Sequence, residues 1–395
     1  MKQTVRGIDL KGKRVLVRVD FNVPLDPASG RVTDDTRIRE SLPTIRYVLE
    51  QGGSAVLMSH LGRPDGSRVP SLSLRPVADR LAELLGRPVV LLPDCVGPEV
   101  ESRVKQLGPG EAALLENLRF HPEEERNEPA FAAELARLGE VYVNDAFGTA
   151  HRAHASTEGI ARHLPAVAGF LMEKEIRYLD GALAKPARPY VAILGGAKVS
   201  DKIGVLQRLL ERVDRVLIGG GMAYTFLKAQ HHAIGGSKLE ADKLELATQL
   251  LGQAAQRKIP ALLPCDHLIA TSLDPGSESR TITTVDIPDG WLGADIGPST
   301  IGAFEQALAD AKTVVWNGPL GVFEQERFAE GSRRIAKALA GLAGATTVIG
   351  GGDTAACVHQ FKLGGRMSHI STGGGASLEF LEGKTLPGIA VLQDA

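Results

Sequence analysis

Short apolar runs alternate with amphipathic helical stretches along the whole of this 395-residue chain. In the first half the runs are RVLVRV, AVLMS, PVVLL, AALLE and VYVND. In the second they are YVAIL, RVLIG, ALLP, TVVWN, TVIGG and MSHIS. Between many of them lie segments such as RPVADRLAELLG, DKIGVLQRLLERV and GSRRIAKALAGLA, with apolar residues at helical spacing. Near-continuous apolar strands alternating with helices predict an α/β fold whose parallel sheets are covered on both faces. Two such blocks are visible, before Pro165 and after Pro189. Between them, AGFLMEKEIRYLDGAL sets Met172, Ile176, Leu179 and Leu183 on one stripe and predicts a helix. That helix reads equally as a stiff connector between two lobes and as a surface helix of one.

In the second half, four apolar runs stop at glycines and give way to a helix: YVAILGGAK, RVLIGGGMA, TVIGGGDTA and HISTGGGAS. Such turns offer unpaired N–H groups at helix N-termini, which favour anions. Four of them predict a nucleotide site built on glycine backbone, and no GxxxxGK[ST] is present.

Length above the roughly 250–300 residues that one core supports predicts two domains. A formal charge of -2 excludes a general nucleic-acid coat, so any basic patch is local. No apolar stretch reaches the ~18 residues of a membrane span, and the opening MKQTVRGIDLKGKRVLV has no signal-peptide core. Cys95, Cys265 and Cys357 are dispersed, with no CxxC, which predicts reduced thiols and a cytoplasmic protein.

Charged groups sit at the ends of the first-half strands. Arg18, Asp20 and Asn22 share a parity, so an extended segment points all three to one side. AVLMS runs into His60-Leu61-Gly62-Arg63, AALLE into Asn117-Leu118-Arg119, and VYVND into a stretch ending His151-Arg152; Arg37 follows the polar turn VTDDT. In a parallel sheet these ends converge on one edge. Any one arginine could simply pair with an acid. As a set they predict a small, strongly anionic ligand, held by forks that suit phosphate or carboxylate. His151 and His154 lack a third ligand at metal spacing and read as hydrogen-bonded histidines.

In the second half, LGGAKVSDKIGVLQ sets Lys198 and Lys202 four apart at the opening of a predicted helix, on one face and within reach of one phosphate chain. In GGGDTA, Asp353 reads as an N-cap, as a ligand to the Mg²⁺ carried by a nucleotide, or as both. Glu324, after WNGPLGVF, is placed to bond ribose hydroxyls.

Together the segments RVDFNVP, MSHLGRP, ENLRF, NDAFGTAHR, LGGAKVSDKI, GGGMAYTFLK, WNGPLGVFE, GGGDTA and STGGGASLE, in that order, resemble the phosphoglycerate kinase family. The resemblance implies two Rossmann-like lobes, each a mainly parallel sheet with helices on both faces, joined by a helix across a cleft. The implied boundaries are 1–167 for a phosphoglycerate-binding domain, 168–184 for the connecting helix and 185–379 for a nucleotide-binding domain, with a tail from about 380 folding back onto the first. By resemblance, Asp20, Phe21, Asn22, Arg37, His60, Leu61, Gly62, Arg63, Arg119 and Arg152 hold 3-phosphoglycerate or 1,3-bisphosphoglycerate. Gly195, Lys198, Lys202, Gly219, Gly293, Asn317, Glu324, Gly351, Gly352, Asp353 and Thr354 hold ADP or ATP. Arg37, Lys198, Gly352 and Gly375 are the implied catalytic groups, with Gly373, Gly374 and Gly375 presenting amides, and Asp353 is the implied Mg²⁺ ligand. The activity implied is direct in-line phosphoryl transfer in glycolysis, with hinge closure, by a monomer without nucleic-acid or membrane partners.

Two stretches depart from the family's usual run, HLIATSLDPGSESRT and HHAIGGSKLE, and leave the fine nucleotide contacts open. A kinase of another acyl phosphate on the same scaffold and a non-catalytic anion sensor are the rival expectations. A dehydrogenase is disfavoured because the first strand turns through DFNVP and not GxGxxG.

Overall fold

The computed structural model describes residues 2–395. Its strands are Arg14–Arg18 (β1), Ser54–Met58 (β2), Val89–Leu91 (β3), Ala112–Leu114 (β4), Val141–Asn144 (β5) and Ala166–Ala168 (β6) in the first half. The second half contributes Tyr190–Leu194 (β7), Arg215–Ile218 (β8), Ala261–Leu262 (β9), His267–Ala270 (β10), Ser279–Ile282 (β11), Leu292–Ile296 (β12), Thr313–Asn317 (β13), Thr346–Gly350 (β14) and His369–Ile370 (β15).

The first sheet has the order β3-β4-β2-β1-β5-β6, and every neighbouring pair is parallel. β1 lies inside it, with β2 on one side and β5 on the other, so the strand order reverses there and a crevice is expected at the carboxyl ends. Val15, Val17, Leu57, Leu114 and Val143 form its core with Ile38, Ile45, Val77 and Leu81 from two helices. Burial from both faces explains why these strands read as unbroken apolar runs.

The second half builds a parallel sheet in the order β15-β14-β13-β7-β8-β9 and a small antiparallel one, β11-β10-β12. Each of the apolar runs named from the sequence contains a strand. The runs do not reveal β6, which is only Ala-Val-Ala, or the antiparallel sheet, whose β11 is Ser-Arg-Thr-Ile and largely exposed.

Contacts divide the chain into two compact units, one reaching Ile176 and including Thr385–Ala395, the other Arg177–Lys384. The chain passes from one to the other within the helix Phe170–Ala184, on whose predicted stripe Met172, Leu179 and Leu183 are buried.

The C-terminal segment is tied to the first unit by backbone. Gly388 N donates to Ala150 O, Gln393 N to Ala166 O, and Gln3 N to Gln393 O, at 2.8–2.9 Å. Asn144 Nδ2 donates to Gly388 O at 2.9 Å, and Leu386 and Leu392 are buried. Leu392→Ala should therefore destabilise the first unit by about 2–4 kcal/mol. Urea unfolding followed by a probe in that unit checks this, and an unchanged midpoint would show that the tail is not docked.

Candidate active site

Arg18 is in register with Met58 and with Asn144, so three neighbouring strands end side by side. The segments leaving these strands meet at one edge. Asp20 Oδ2 accepts from Arg37 Nη1 at 2.7 Å, with Arg37 in the first turn of the helix Thr36–Glu50. Asn22 Oδ1 accepts from Gly62 N at 2.9 Å, and Arg119 Nη1 donates to Gly62 O at 3.0 Å. Gly62 has φ +63°, and a Cβ there would come 2.8 Å from Leu72, so only glycine fits this turn. Asn117 bonds both backbone groups of Leu61 and fixes the same loop. The side chains of Phe21 and Leu61 are buried, which leaves only their backbone for a ligand.

His60 lies at the centre. It is buried, with Nδ1 3.2 Å from Arg18 Nη2 and 3.8 Å from Asp20 Oδ1. Burial first, then the charges of Arg18, Arg119, Arg37 and Arg152, hold its pKa well below the ordinary histidine value. A permanently charged guanidinium donating to Nδ1 makes His60 a neutral ring with its proton on Nε2. Arg18 is itself almost fully buried; its Nε donates to Ser156 Oγ at 2.8 Å, and Ser156 in turn bonds the buried carboxylate of Glu124.

Simple pairing accounts for only part of the arginine set. Arg37 pairs with Asp20 and Arg119 with Glu125, at 2.7 and 3.1 Å. Among the described residues, Arg18, Arg63 and Arg152 have no carboxylate within ion-pair distance, and Arg152 Nε lies 3.3 Å from His151 Nε2. Arg63 is exposed on the loop after Gly62 and is not among the charges that depress His60. The edge is thus a concentrated positive surface with unspent donors, suited to a small polyanion.

The second unit repeats the strand-end device with backbone in place of guanidinium. Asn317 on β13 is in register with Leu194 on β7 and Gly350 on β14, so the turns after these strands are neighbours. They interlock. Gly195 N donates to Asn317 O and Gly196 N to Pro319 O, at 2.9 and 2.8 Å. A Cβ on Gly318 (φ +98°) would run into the Gly195 carbonyl, and one on Gly195 into the Gly318 and Pro319 carbonyls. Gly219 is closed off by Leu320 in the same way. Gly195 and Gly219 therefore act by close packing, while Gly196, Gly220 and Gly221 face the space above them.

That space is two adjoining cavities sharing Gly196, Ala197, Pro319 and Asp353. The larger, about 400 Å³, is walled by Tyr224, Leu292, Gly293, Leu320, Val322 and Glu324. A Cβ on Gly293 would overlap the Tyr224 hydroxyl, so glycine keeps this wall open. The smaller, about 270 Å³, is lined by Lys198, Lys202, Asn317, Gly351, Gly352, Thr354, Gly374 and Gly375. One mostly apolar compartment opening into one of amides and lysines has the chemistry of a base and its phosphates.

Two expectations need correction. Lys198 and Lys202 do not share a helix face. The helix starts only at Ile203, because Val199 N and Ser200 N are bonded by the Glu240 carboxylate and held in a turn. Both lysines nonetheless line the smaller cavity, where burial lowers the pKa of Lys202 and its ammonium donates to Asn317 Oδ1. Asp353 is not an N-cap. Gly351 (φ +87°) holds that position, and Asp353 sits in the first turn, exposed and with no hydrogen-bond partner among the described residues.

Tyr224, Leu292, Leu320 and Val322 carry no signal of their own in the sequence, although each lies within five residues of an assigned glycine or acid. Leu273 and Lys238 also line the larger cavity, and both lie in the two stretches that depart from the family pattern.

The family model for phosphoglycerate kinase matches residues 5–384. The phosphoglycerate kinase of Chlorobium limicola is 58% identical over 396 residues, covering 100% of each chain. That of Synechococcus elongatus is 57% identical over 395 residues, covering 99% of this chain and 98% of the relative. The solved phosphoglycerate kinase of Coxiella burnetii superimposes with a TM-score of 0.89 at 40% identity, and that of Pyrococcus horikoshii with 0.86 at 34%. Each pairing spans 99% of this chain and 98% of the other. The chain belongs to the phosphoglycerate kinase family. The fold expected of that family, two α/β units each with a mainly parallel sheet, is the fold observed.

The neutral state of His60 gives a pH signature for this member of the phosphoglycerate kinase family. Its folded pKa is depressed, so its contribution to stability is fully present above the unfolded value of about 6.5 and lost as pH falls through the folded value. The His60 ring signal in NMR should show no titration step at the pH where a free histidine titrates. A midpoint near that of free histidine would show that the Arg18 contact does not hold the ring neutral.

Proposed function

We propose that the chain catalyses reversible transfer of a phosphoryl group from 1,3-bisphosphoglycerate to ADP, giving 3-phosphoglycerate and ATP, the glycolytic reaction of its family. Two different anion sites on two units support this reading: an arginine edge for a small acid and a glycine cavity for a nucleotide. The carrying observation is Asp353, a carboxylate with no hydrogen-bond or close ion-pair partner among the described residues, shared by the two adjoining cavities and near enough to Lys202 to act on its charge.

An acyl phosphate is already activated, so the reaction needs neither a strong base nor a covalent nucleophile. A terminal oxygen of ADP attacks phosphorus, the acyl C–O–P bridge breaks at phosphorus, and the carboxylate leaves without a proton. The chain supplies position and charge. Asp20, Asn22, His60, Arg63, Arg119 and Arg152 orient the phosphoglycerate, with Asp20 holding the fork of Arg37. Arg37, Lys198 and the amides of Gly352, Gly373, Gly374 and Gly375 meet the charge on the moving group. Gly293, Glu324 and Thr354 seat the nucleotide, and Lys202 is held ready by Asn317.

One exposed carboxylate beside lysines and amides fits Mg²⁺, which takes one or two carboxylates and leaves the rest of its shell to phosphate and water. Asp353 would hold it, and the ion would neutralise phosphate charge. Because separate units hold the two ligands, transfer needs their reacting atoms brought to about 3–3.5 Å. Bending about the helix Phe170–Ala184 is the proposed means, and it would exclude water that otherwise hydrolyses the acyl phosphate. All the proposed groups come from one chain, so a monomer suffices.

A coupled assay of ATP formation from 1,3-bisphosphoglycerate, with and without Mg²⁺, tests the reading directly. Arg37→Ala should lower kcat about 100-fold or more while leaving the nucleotide Kd within about two-fold. A matching loss of nucleotide affinity would overturn the division of labour between units. Asp353→Asn should raise the Mg²⁺ concentration for half-maximal rate by about ten-fold or more. An unchanged Mg²⁺ dependence removes Asp353 as the metal ligand.

A further inference from the structure

The loop after β3 carries Asp94 and Cys95, and the turn Leu118–Phe120 leads into His121. A carboxylate oxygen of Asp94, Sγ of Cys95 and a ring nitrogen of His121 all lie within 4.8 Å of one another. Cys95 is fully buried, while Asp94 and His121 are half-buried. The thiol closes the inner side of this cluster, and the other two donors are reachable from solvent.

The donors are held in place. His121 stacks on Phe131 with ring centroids 5.2 Å apart, and its Nε2 is 2.7 Å from Asp94 Oδ1. Asp94 Oδ1 also accepts from Cys95 N at 2.7 Å, and Oδ2 accepts from Arg68 Nη2 at 3.2 Å. An Asp–His ion pair accounts for two of these groups. The thiol closes on the same carboxylate, so three donors of different chemistry converge on one point.

We infer that Asp94, Cys95 and His121 form a binding site for a borderline-soft divalent cation of the Zn²⁺ class, with water as the fourth ligand. Metal–ligand bonds of about 2.0–2.3 Å place ligand atoms of one tetrahedron roughly 3.5 Å apart, so only small movements separate the present geometry from a closed shell. Thiolate and imidazole select against Mg²⁺. One carboxylate and one thiolate balance the charge of the ion, and the thiol proton leaves to solvent together with any proton on His121. Arg68 can keep its 2.7 Å bond to Pro93 O while Asp94 turns to the ion. The ion would staple the loop after β3 to the segment bearing Arg119.

The test is a Co²⁺ titration of the full chain in a Cys265→Ser background, since Cys265 is the exposed thiol. The expected result is a thiolate-to-cobalt charge-transfer band with tetrahedral visible absorption, both abolished by Zn²⁺ and by Cys95→Ser. Metal on Asp353 and nucleotide phosphates would be oxygen-ligated and give no such band. Half-buried His121→Gln should weaken Co²⁺ binding at least about ten-fold, and it decides the question if Cys95→Ser does not fold. Absence of the band in the parent chain, or unchanged Co²⁺ affinity in His121→Gln, overturns the site.

Discussion

Every neighbouring pair in the two six-stranded sheets is parallel, so the carboxyl ends of six strands arrive at one edge of each. Antiparallel neighbours would deliver only alternate ends there. The parallel sheet therefore gathers residues as distant in sequence as Asp20, His60, Arg119 and Arg152 without any of them choosing the others. Helices cover most of both faces, so the carboxyl edges are where charged groups can collect.

The two edges meet negative charge by different means. In the first unit, guanidinium groups crowd around a buried neutral histidine, at a Coulomb cost that an anion relieves. In the second, the turns after β7, β8 and β13 pack backbone against backbone, and the glycines that make this possible leave neighbouring glycines facing the cavity. Backbone dipoles suit a phosphate chain that must be held along its length and then released. Forked, always-charged side chains suit a compact acid bearing charge at both ends.

Much of this is legible in the sequence. Strand ends can be read because strands buried on both faces are continuous apolar runs, and the charged residue or glycine turn that breaks most of them marks the sheet edge. The shared parity of Arg18, Asp20 and Asn22 is informative for the same reason. The misreadings are local. Spacing alone puts Lys198 and Lys202 on a helix, but the Glu240 carboxylate, about 40 residues away, captures the amides between them and delays the helix. Asp353 resembles a cap because it follows a glycine turn at the opening of a helix; a glycine with positive φ takes the cap position. Gly195 and Gly219 cannot be told from cavity-lining glycines in the sequence, since their role depends on carbonyls and a leucine from another strand's turn. The wall of the larger cavity is silent because Tyr224, Leu292 and Val322 look like ordinary core residues until Gly293 leaves space beside them.

The first unit also shows how the anion edge is wired to the helix that leaves it. Asp145, directly after β5, accepts from Leu171 N and Met172 N at 2.9 and 3.3 Å, so its carboxylate occupies the first turn of the helix Phe170–Ala184. Phe170 N is taken by Thr44 Oγ1 at 2.9 Å, from the helix that carries Arg37. A Cβ on Gly169 would collide with Asp145, so nothing larger permits this approach. The start of the connecting helix thus rests on two supports, one on the segment leading to Arg152 and one on the helix bearing Arg37. On the proposed function, both arginines change their electrostatic surroundings when the anion arrives. Closely packed elements respond by moving as units, because interiors at crystal-like density have little room to deform. Movement of either support would therefore reach the first turn of that helix through these three hydrogen bonds.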